Sequence, residues 1–274
     1  MQVIVSFLKN LLLKYPAKTL PGGIYLKLLI TYSWILRLIG HKSALKSASI
    51  DGSSGIVSLK FFNGDNWLIV NPIRANRYLK GISHAGSRLL KRYHLDSLDK
   101  PPNTFVDVGA NVGELSYWFA QKGCRVLAFE PDPKIYGLLQ KNLEGLKNVK
   151  ITNEALSDIN AQMRLSVRSD SADSSLVIGQ DDLDTVIVEA IRYENHAFSG
   201  EVISPAFLKM DTEGNEPESL RGFGLKLSQF DFVAIDAGLE RLGESTRDEV
   251  ERILSNSGFK LRGRTSDYIV NAHK

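Results

Sequence analysis

Residues 104–113 read Thr-Phe-Val-Asp-Val-Gly-Ala-Asn-Val-Gly. The run Thr104–Val108 is short, β-branched and aromatic, which suits a buried strand. It ends at Gly109, and a helical pattern over 113–122 follows. Gly109 allows a tight turn and a close backbone approach to a ligand. Gly113 lets the helix start close to the strand. The same strand-then-helix unit recurs. Arg125–Phe129 precedes a helix over 133–145, and Val149–Asn153 is a third strand. Phe207–Met210 precedes a helix over 216–223, and Phe232–Ile235 precedes one over 246–257. Phe259–Arg262 and Tyr268–Asn271 close the chain as a hairpin. Alternating strands and helices predict a doubly wound, mostly parallel α/β sheet, to which the hairpin adds antiparallel strands. Ligands of such sheets bind beyond the carboxyl ends of the strands, where strand order reverses. Functional residues are therefore expected just after strands.

The chain before this alternation differs in character. Residues 1–50 hold seven Lys/Arg and no Asp or Glu, against 27 Lys/Arg and 31 Asp/Glu in the other 224 residues. Residues 1–48 read as helical and basic. Residues 49–73 read as a hairpin, Gly55–Phe62 and Trp67–Val70 around Asn63-Gly64-Asp65, and 74–98 read as helical. Lys100-Pro101-Pro102-Asn103 marks a boundary. Two parts are expected: a basic helical and hairpin extension over 1–100 and a sheet domain over 101–274. Residues 157–204 read as irregular, with Ser/Asp-rich stretches.

The most apolar stretch, residues 24–39, carries Lys27 and Arg37 and is too interrupted for a membrane span, which needs about 20 apolar residues. Ile24, Leu28, Tyr32, Ile35, Leu36 and Ile39 share one helical face. One reading is a basic amphipathic arm (residues 1–48) lying on the inner face of an anionic membrane. The other is helices packed on the main domain, and it is favoured because amphipathic helices usually face a core. No small-residue cleavage site follows residues 2–14, so a signal peptide fits poorly. The single cysteine, Cys124, fits a reducing, cytoplasmic setting.

At the second strand end, Glu130 follows Gly109 by 21 residues, an offset at which a carboxylate accepts hydrogen bonds from ribose hydroxyls. The loop is not Gly-x-Gly-x-x-Gly, so the dinucleotide fingerprint is unmet. Asp132 before Pro133 suits a helix N-cap as well as a ligand contact. Ala155 and Asp158, after the third strand, would lie beside a nucleoside base. After the fourth strand stand Asp211, Glu213, Glu216 and Glu218. The last two also suit the first turn of a helix.

Five segments in this order carry a resemblance: Asp107-Val108-Gly109-Ala110-Asn111-Val112-Gly113, Phe129-Glu130-Pro131-Asp132-Pro133, Ala155-Leu156-Ser157-Asp158, Ser174-Ser175-Leu176 and Leu208-Lys209-Met210-Asp211-Thr212-Glu213-Gly214-Asn215-Glu216. Over about residues 100–240 they resemble the FkbM-type family of S-adenosylmethionine-dependent methyltransferases. The resemblance implies a Rossmann-like class I methyltransferase sheet and S-adenosyl-L-methionine as cofactor. Asp107, Gly109, Ala110, Asn111 and Gly113 would hold its methionine part. Glu130 and Pro131 would lie at the ribose, and Ala155 and Asp158 at the adenine. Asp211, Glu213 and Glu216 would flank the acceptor or the sulfonium. Asp211 and Glu213 are the catalytic candidates, because a hydroxyl acceptor benefits from a general base. Two places depart from the family pattern: Ile191-Arg192-Tyr193-Glu194-Asn195-His196, and the fifth strand ending in Asp236 where the family carries Glu.

The acceptor implied is a hydroxyl of a sugar, glycan, lipid-linked glycan or related small molecule. The alternatives are a nucleic-acid methyltransferase using the basic front, and a binding module without turnover. The former lacks an Asn/Asp-Pro-Pro-aromatic motif. Metal is not expected: one Cys and five scattered His form no zinc cluster, although Asp211, Glu213 and Asp236 have the chemistry for Mg²⁺. His196 reads as a structural histidine. A serine hydrolase lacks its Gly-x-Ser-x-Gly elbow.

Overall fold

A computed structural model describes residues 20–97, 100–167, 174–177, 184–241, 243–264 and 268–274. They cluster into a unit ending at Gly86 and a unit running from Ser87 to Lys274.

In the first unit, helix α1 (Gly22–Leu38) packs on an antiparallel meander, β1 (Leu45–Ile50), β2 (Val57–Phe61) and β3 (Asn66–Ile69). The helical zone expected through residue 48 therefore ends early, because β2 offers Leu45–Ile50 a ladder partner. The buried face of α1 is Tyr25, Leu26, Leu29, Tyr32 and Ser33. Of the six residues expected there, Tyr32 alone is buried, and Ile24 is half exposed. Hydroxyl bonding sets the rotation: the Ser33 hydroxyl donates to the Leu45 carbonyl and Tyr25 Oη to that of Ile73. A count of apolar residues does not register such partners. α1 thus buries this face against the meander of its own unit, while residues 2–14 lie outside the described residues. Among the described residues no helix is long and apolar enough to cross a membrane. The helix expected over 74–98 is split into a 3₁₀ turn, Pro72–Tyr78, and α2 (Ile82–Arg92), parted by Gly81 at φ +95°.

The second unit is built on a seven-stranded sheet. Its strands are β4 (Thr104–Val108), β5 (Arg125–Phe129), β6 (Val149–Thr152), β10 (Ala206–Met210), β11 (Phe232–Asp236), β12 (Lys260–Leu261) and β13 (Ile269–His273), in the order β12-β13-β11-β10-β4-β5-β6. Five adjacent strands, β11-β10-β4-β5-β6, are parallel, and β12 and β13 are antiparallel. This is the Rossmann-like α/β sheet with a reversed final hairpin. β4, β5, β10 and β11 run into helices α3 (Glu114–Gln121), α4 (Pro133–Asn142), α5 (Glu216–Phe223) and α6 (Arg247–Asn256). Every residue of β4, β10 and β11 is buried, as two-sided strands require. One core joins Val106, Val108, Leu208, Met210, Val233 and Ile235 to Leu220, Phe223, Val250 and Leu254 of the helices. Cys124 is buried, and that burial pushes its thiol up to about 11.

Residues 157–204 are less irregular than expected. β7 (Ala155–Leu156), β8 (Ala161–Ser166) and β9 (Thr185–Ile191) form a three-stranded sheet around Ala155, Leu165, Val188 and Ala190. Alternation in Thr185–Ile191 carries the signal, masked in sequence by its Ser/Asp-rich flanks. Most of those flanks lie outside the described residues.

Candidate functional site

β4 lies between β10 and β5, and the chain leaves it toward β5 and β6 before returning to the other side at β10. The order reverses at the carboxyl ends of β4 and β10, where a doubly wound sheet opens a crevice. Gly109 sits at that point with φ +71°, and a Cβ on it would stand 1.8 Å from the Asp211 carbonyl oxygen. The close approach that demands glycine is therefore to β10. At Gly113, φ +98°, a Cβ would meet Leu139 Cδ1 at 2.7 Å, so this glycine lets α3 pack on α4. Between them Ala110 is buried, and Asn111 is left-handed at φ +55°.

The loop is tied to the next strand end. Glu130 Oε2 accepts the Asn111 amide at 2.8 Å, and Oε1 accepts the Asp132 amide at 3.0 Å. Burial pushes Glu130 up to about 7, against the pull of those two amides. Asn153 Nδ2 donates to the carbonyls of Glu130 and Pro131, holding the turn. Asp132 is an N-cap: its Oδ1 accepts the Lys134 and Ile135 amides. Its Oδ2 accepts the Ser174 hydroxyl at 2.8 Å, while Ser175 Oγ donates to the Glu213 carbonyl at 2.5 Å. Two adjacent serines thus bind the β5 end to the β10 end.

Asp107 is 1% exposed and lies beneath the loop. Its Oδ2 accepts the Ser116 hydroxyl at 2.7 Å, and its Oδ1 lies 3.2 Å from Lys209 Nζ. Lys209 also donates to the Gly109 carbonyl at 2.7 Å. Burial works to lower Lys209, but Asp107, Asp211 and Glu130 around it prevail and hold it above its ordinary value. Ala155 is buried in the small sheet. The Asp158 carboxylate is tied to Arg221 Nε at 3.1 Å, and its carbonyl accepts Arg192.

After β10 the acidic residues separate by role. Glu216, 1% exposed, turns inward. Its Oε1 accepts the amides of Thr212 and Gly214, and its Oε2 accepts the Thr246 hydroxyl. These bonds close the loop. Glu218 pairs with Arg221 and Arg241. Glu213 occupies a left-handed position at φ +54°. Asp211 stays partly exposed at the strand end, where Tyr93 Oη donates to its Oδ2 at 2.5 Å. Beside it, Asp236 Oδ2 is 2.5 Å from Arg92 Nη2. Burial and the neighbouring Asp211 raise Asp236, and Arg92 opposes them. Burial pushes Glu240 up to about 7, with Asp236, Glu216 and Asp211 adding like charge. Among the described residues no group of three or more His, Cys, Asp or Glu is arranged to hold a metal ion. His196 is structural: Nδ1 accepts the Phe198 amide, Nε2 lies 3.1 Å from Glu154 Oε2, and the ring packs on Phe129.

Sequence reasoning did not find Lys209 as a site residue, nor Arg92, Tyr93 or Glu240. Lys209, a lone cation inside an apolar strand, was the available signal, since a buried lysine requires counter-charges.

The sequence matches the Methyltransferase FkbM domain over residues 107–261. It is 27% identical over 167 residues to hexuronic acid methyltransferase AglP of Haloferax volcanii, covering 60% of this chain and 68% of that protein. It is 32% identical over 82 residues to ribosomal RNA small subunit methyltransferase A of Thermotoga neapolitana, covering 30% of this chain. The match spans only 32% of the length of that relative. Among solved structures it is similar to precorrin-6y C5,15-methyltransferase of Geobacter metallireducens, with a TM-score of 0.39 and 13% identity over 70% of this chain and 89% of the other.

Proposed function

This chain belongs to the FkbM-domain methyltransferase family, and we propose that it transfers a methyl group to a hydroxyl of a sugar or glycan, with an acidic sugar as the acceptor class best supported. The cofactor of the family is S-adenosylmethionine, which supplies an electrophilic methyl group for in-line displacement. One observation carries the reading. The Gly109–Gly113 loop and Glu130 are joined through the Asn111 amide at the point where strand order reverses. The donor set suits the adenosyl group. Each Glu130 oxygen accepts one amide, and a carboxylate oxygen has two acceptor positions, so both remain able to accept a ribose hydroxyl. Lys209 and Asp107 support the loop from below and keep its backbone in place.

On the acceptor side, Asp211 would take the hydroxyl proton as the acceptor oxygen bonds to the methyl carbon and that carbon's bond to sulfur breaks, leaving S-adenosylhomocysteine. Glu213, two residues on, is the second candidate. A positioned base contributes about 10²–10⁴-fold. The hexuronic acid methyltransferase of Haloferax volcanii, the relative matched over more than half of this chain, supports a sugar acid as acceptor.

Calorimetric titration with S-adenosylmethionine tests the cofactor half. We expect micromolar binding, on the order of −8 kcal/mol, that Glu130→Ala weakens at least tenfold. Absence of binding by folded wild type would overturn it. Methylation of glucuronate- and galacturonate-terminated oligosaccharides, against neutral ones, tests the acceptor half.

A further inference from the structure

We infer that Arg92 and Tyr93, which precede the stretch matched to the family, are positioning residues for the acceptor end of the site: Tyr93 aims Asp211, and Arg92 aims Asp236. The inference rests on the methyl-transfer reading above and extends it to residues that the family match leaves out.

The two residues close α2, and their side chains reach the carboxyl ends of two adjacent strands, β10 and β11. Tyr93 is 2% exposed. Its carbonyl accepts Asn271 Nδ2 at 3.0 Å, so its main chain is pinned to β13. Its ring lies 5.5 Å from Lys209 Nζ, the same cation that holds the Gly109 carbonyl. A phenol held at both ends in this way has little freedom, and its hydroxyl fixes Asp211 Oδ2. Among the described residues no other side chain hydrogen-bonds Asp211, which leaves Oδ1 as the oxygen presented to a hydroxyl. An apolar filler would pack equally well but would not select one oxygen.

The hydroxyl also stays a donor. Burial, then Asp211 and Asp236, push Tyr93 well above its ordinary value, so it does not ionise at any pH at which the protein works. Asp211 is faced by Tyr93 and Arg92 from the end of α2 and by Lys209 from β10. Asp236 faces it from β11, Glu240 from the loop after β11, and Glu216 from α5. In this mostly acidic setting, Arg92 supplies the cation that keeps Asp236 turned to its own side. Its side chain is 56% exposed, against 5% for Asp236.

The test uses the full chain and three variants. Tyr93→Phe keeps the ring and removes the hydroxyl. We expect kcat to fall about 10- to 100-fold and S-adenosylmethionine Kd to stay within about twofold of wild type. Unchanged kcat, or Kd weakening in step with kcat, would overturn the role. Arg92→Met, at a half-exposed position that tolerates change, should raise the Asp236 titration seen by carboxyl ¹³C NMR and raise acceptor KM without altering cofactor Kd. An unmoved Asp236 would overturn the Arg92 half. A third readout needs no turnover: in Asp211→Asn the Tyr93 ¹³Cζ resonance, read at neutral pH, should shift from its wild-type position as the hydroxyl loses its carboxylate acceptor. An unmoved Tyr93 resonance overturns the contact. Wild type that binds no S-adenosylmethionine sinks instead the methyl-transfer reading, a distinct outcome.

Discussion

The carbonyl oxygen of Asp211 occupies the space where a side chain on Gly109 would begin, 1.8 Å from the ideal Cβ position. The ends of β4 and β10 touch there through backbone alone, and this contact brings the glycine loop beside the proposed base.

Gly109→Ala should therefore be costly. The substitution places a methyl group against backbone that has no rotamer to escape by, at φ +71°, where L residues are strained. We expect a loss of about 2–4 kcal/mol in urea denaturation, with cofactor affinity lost as β10 is pushed away. A variant as stable as wild type would contradict the contact.

Glu130 predicts a pH dependence with a defined sign. Its pKa rises on folding from an ordinary 4.5 to about 7. Between those values the folded chain holds a proton that the unfolded chain has released. The stability contributed by Glu130 is thus fully present below pH 4.5 and is lost as pH rises through about 7. Cofactor binding runs the opposite way, because ribose hydroxyls donate to the ionised carboxylate. S-adenosylmethionine affinity should climb from pH 6, by up to about tenfold per unit, and level off above 7. Calorimetry in buffers of different ionisation enthalpy should find a proton released at pH 6. Glu130→Gln should flatten the profile.

Lys209 and Asp107 form a nearly enclosed ion pair, with side chains 5% and 1% exposed. Lys209→Met leaves a buried carboxylate without its counter-charge and should cost about 3–5 kcal/mol in chemical denaturation. Adding Asp107→Asn should recover a large part of that loss. Equal destabilisation in the single and double variants would contradict the pairing.

Asp132 separates capping from ligand binding. Asp132→Ala removes the acceptor for the Lys134 and Ile135 amides and should cost about 1 kcal/mol. Asp132→Asn retains a capping oxygen and should keep both stability and S-adenosylmethionine affinity near wild type. A large affinity loss in Asp132→Asn at unchanged Tm would mark the carboxylate as a ligand contact.

The elements legible in the sequence are those whose signal is local. β4, β5 and α5 stand over the residues expected, because each is a short run of one character bounded by Gly, Pro or a capping residue. The final hairpin and the order of motif-bearing strand ends follow from the same cues. β8 and β9 were hidden by polar flanks, and the buried face of α1 was misjudged because its hydroxyls find partners on other elements.

The sequence alone determined the parallel α/β sheet, the glycine loop and the acidic residue at each strand end, since periodicity and turn chemistry act over a few residues. Tertiary structure alone decided which carboxylates are taken up by internal bonds. Glu216 is spent on Thr212, Gly214 and Thr246, and Asp107 on Ser116 and Lys209, while Asp211 stays open at the strand end. It also decided that Tyr93, 118 residues away along the chain, holds Asp211. A carboxylate's role depends on which donors and counter-charges surround it, and strand order brings those from distant parts of the chain.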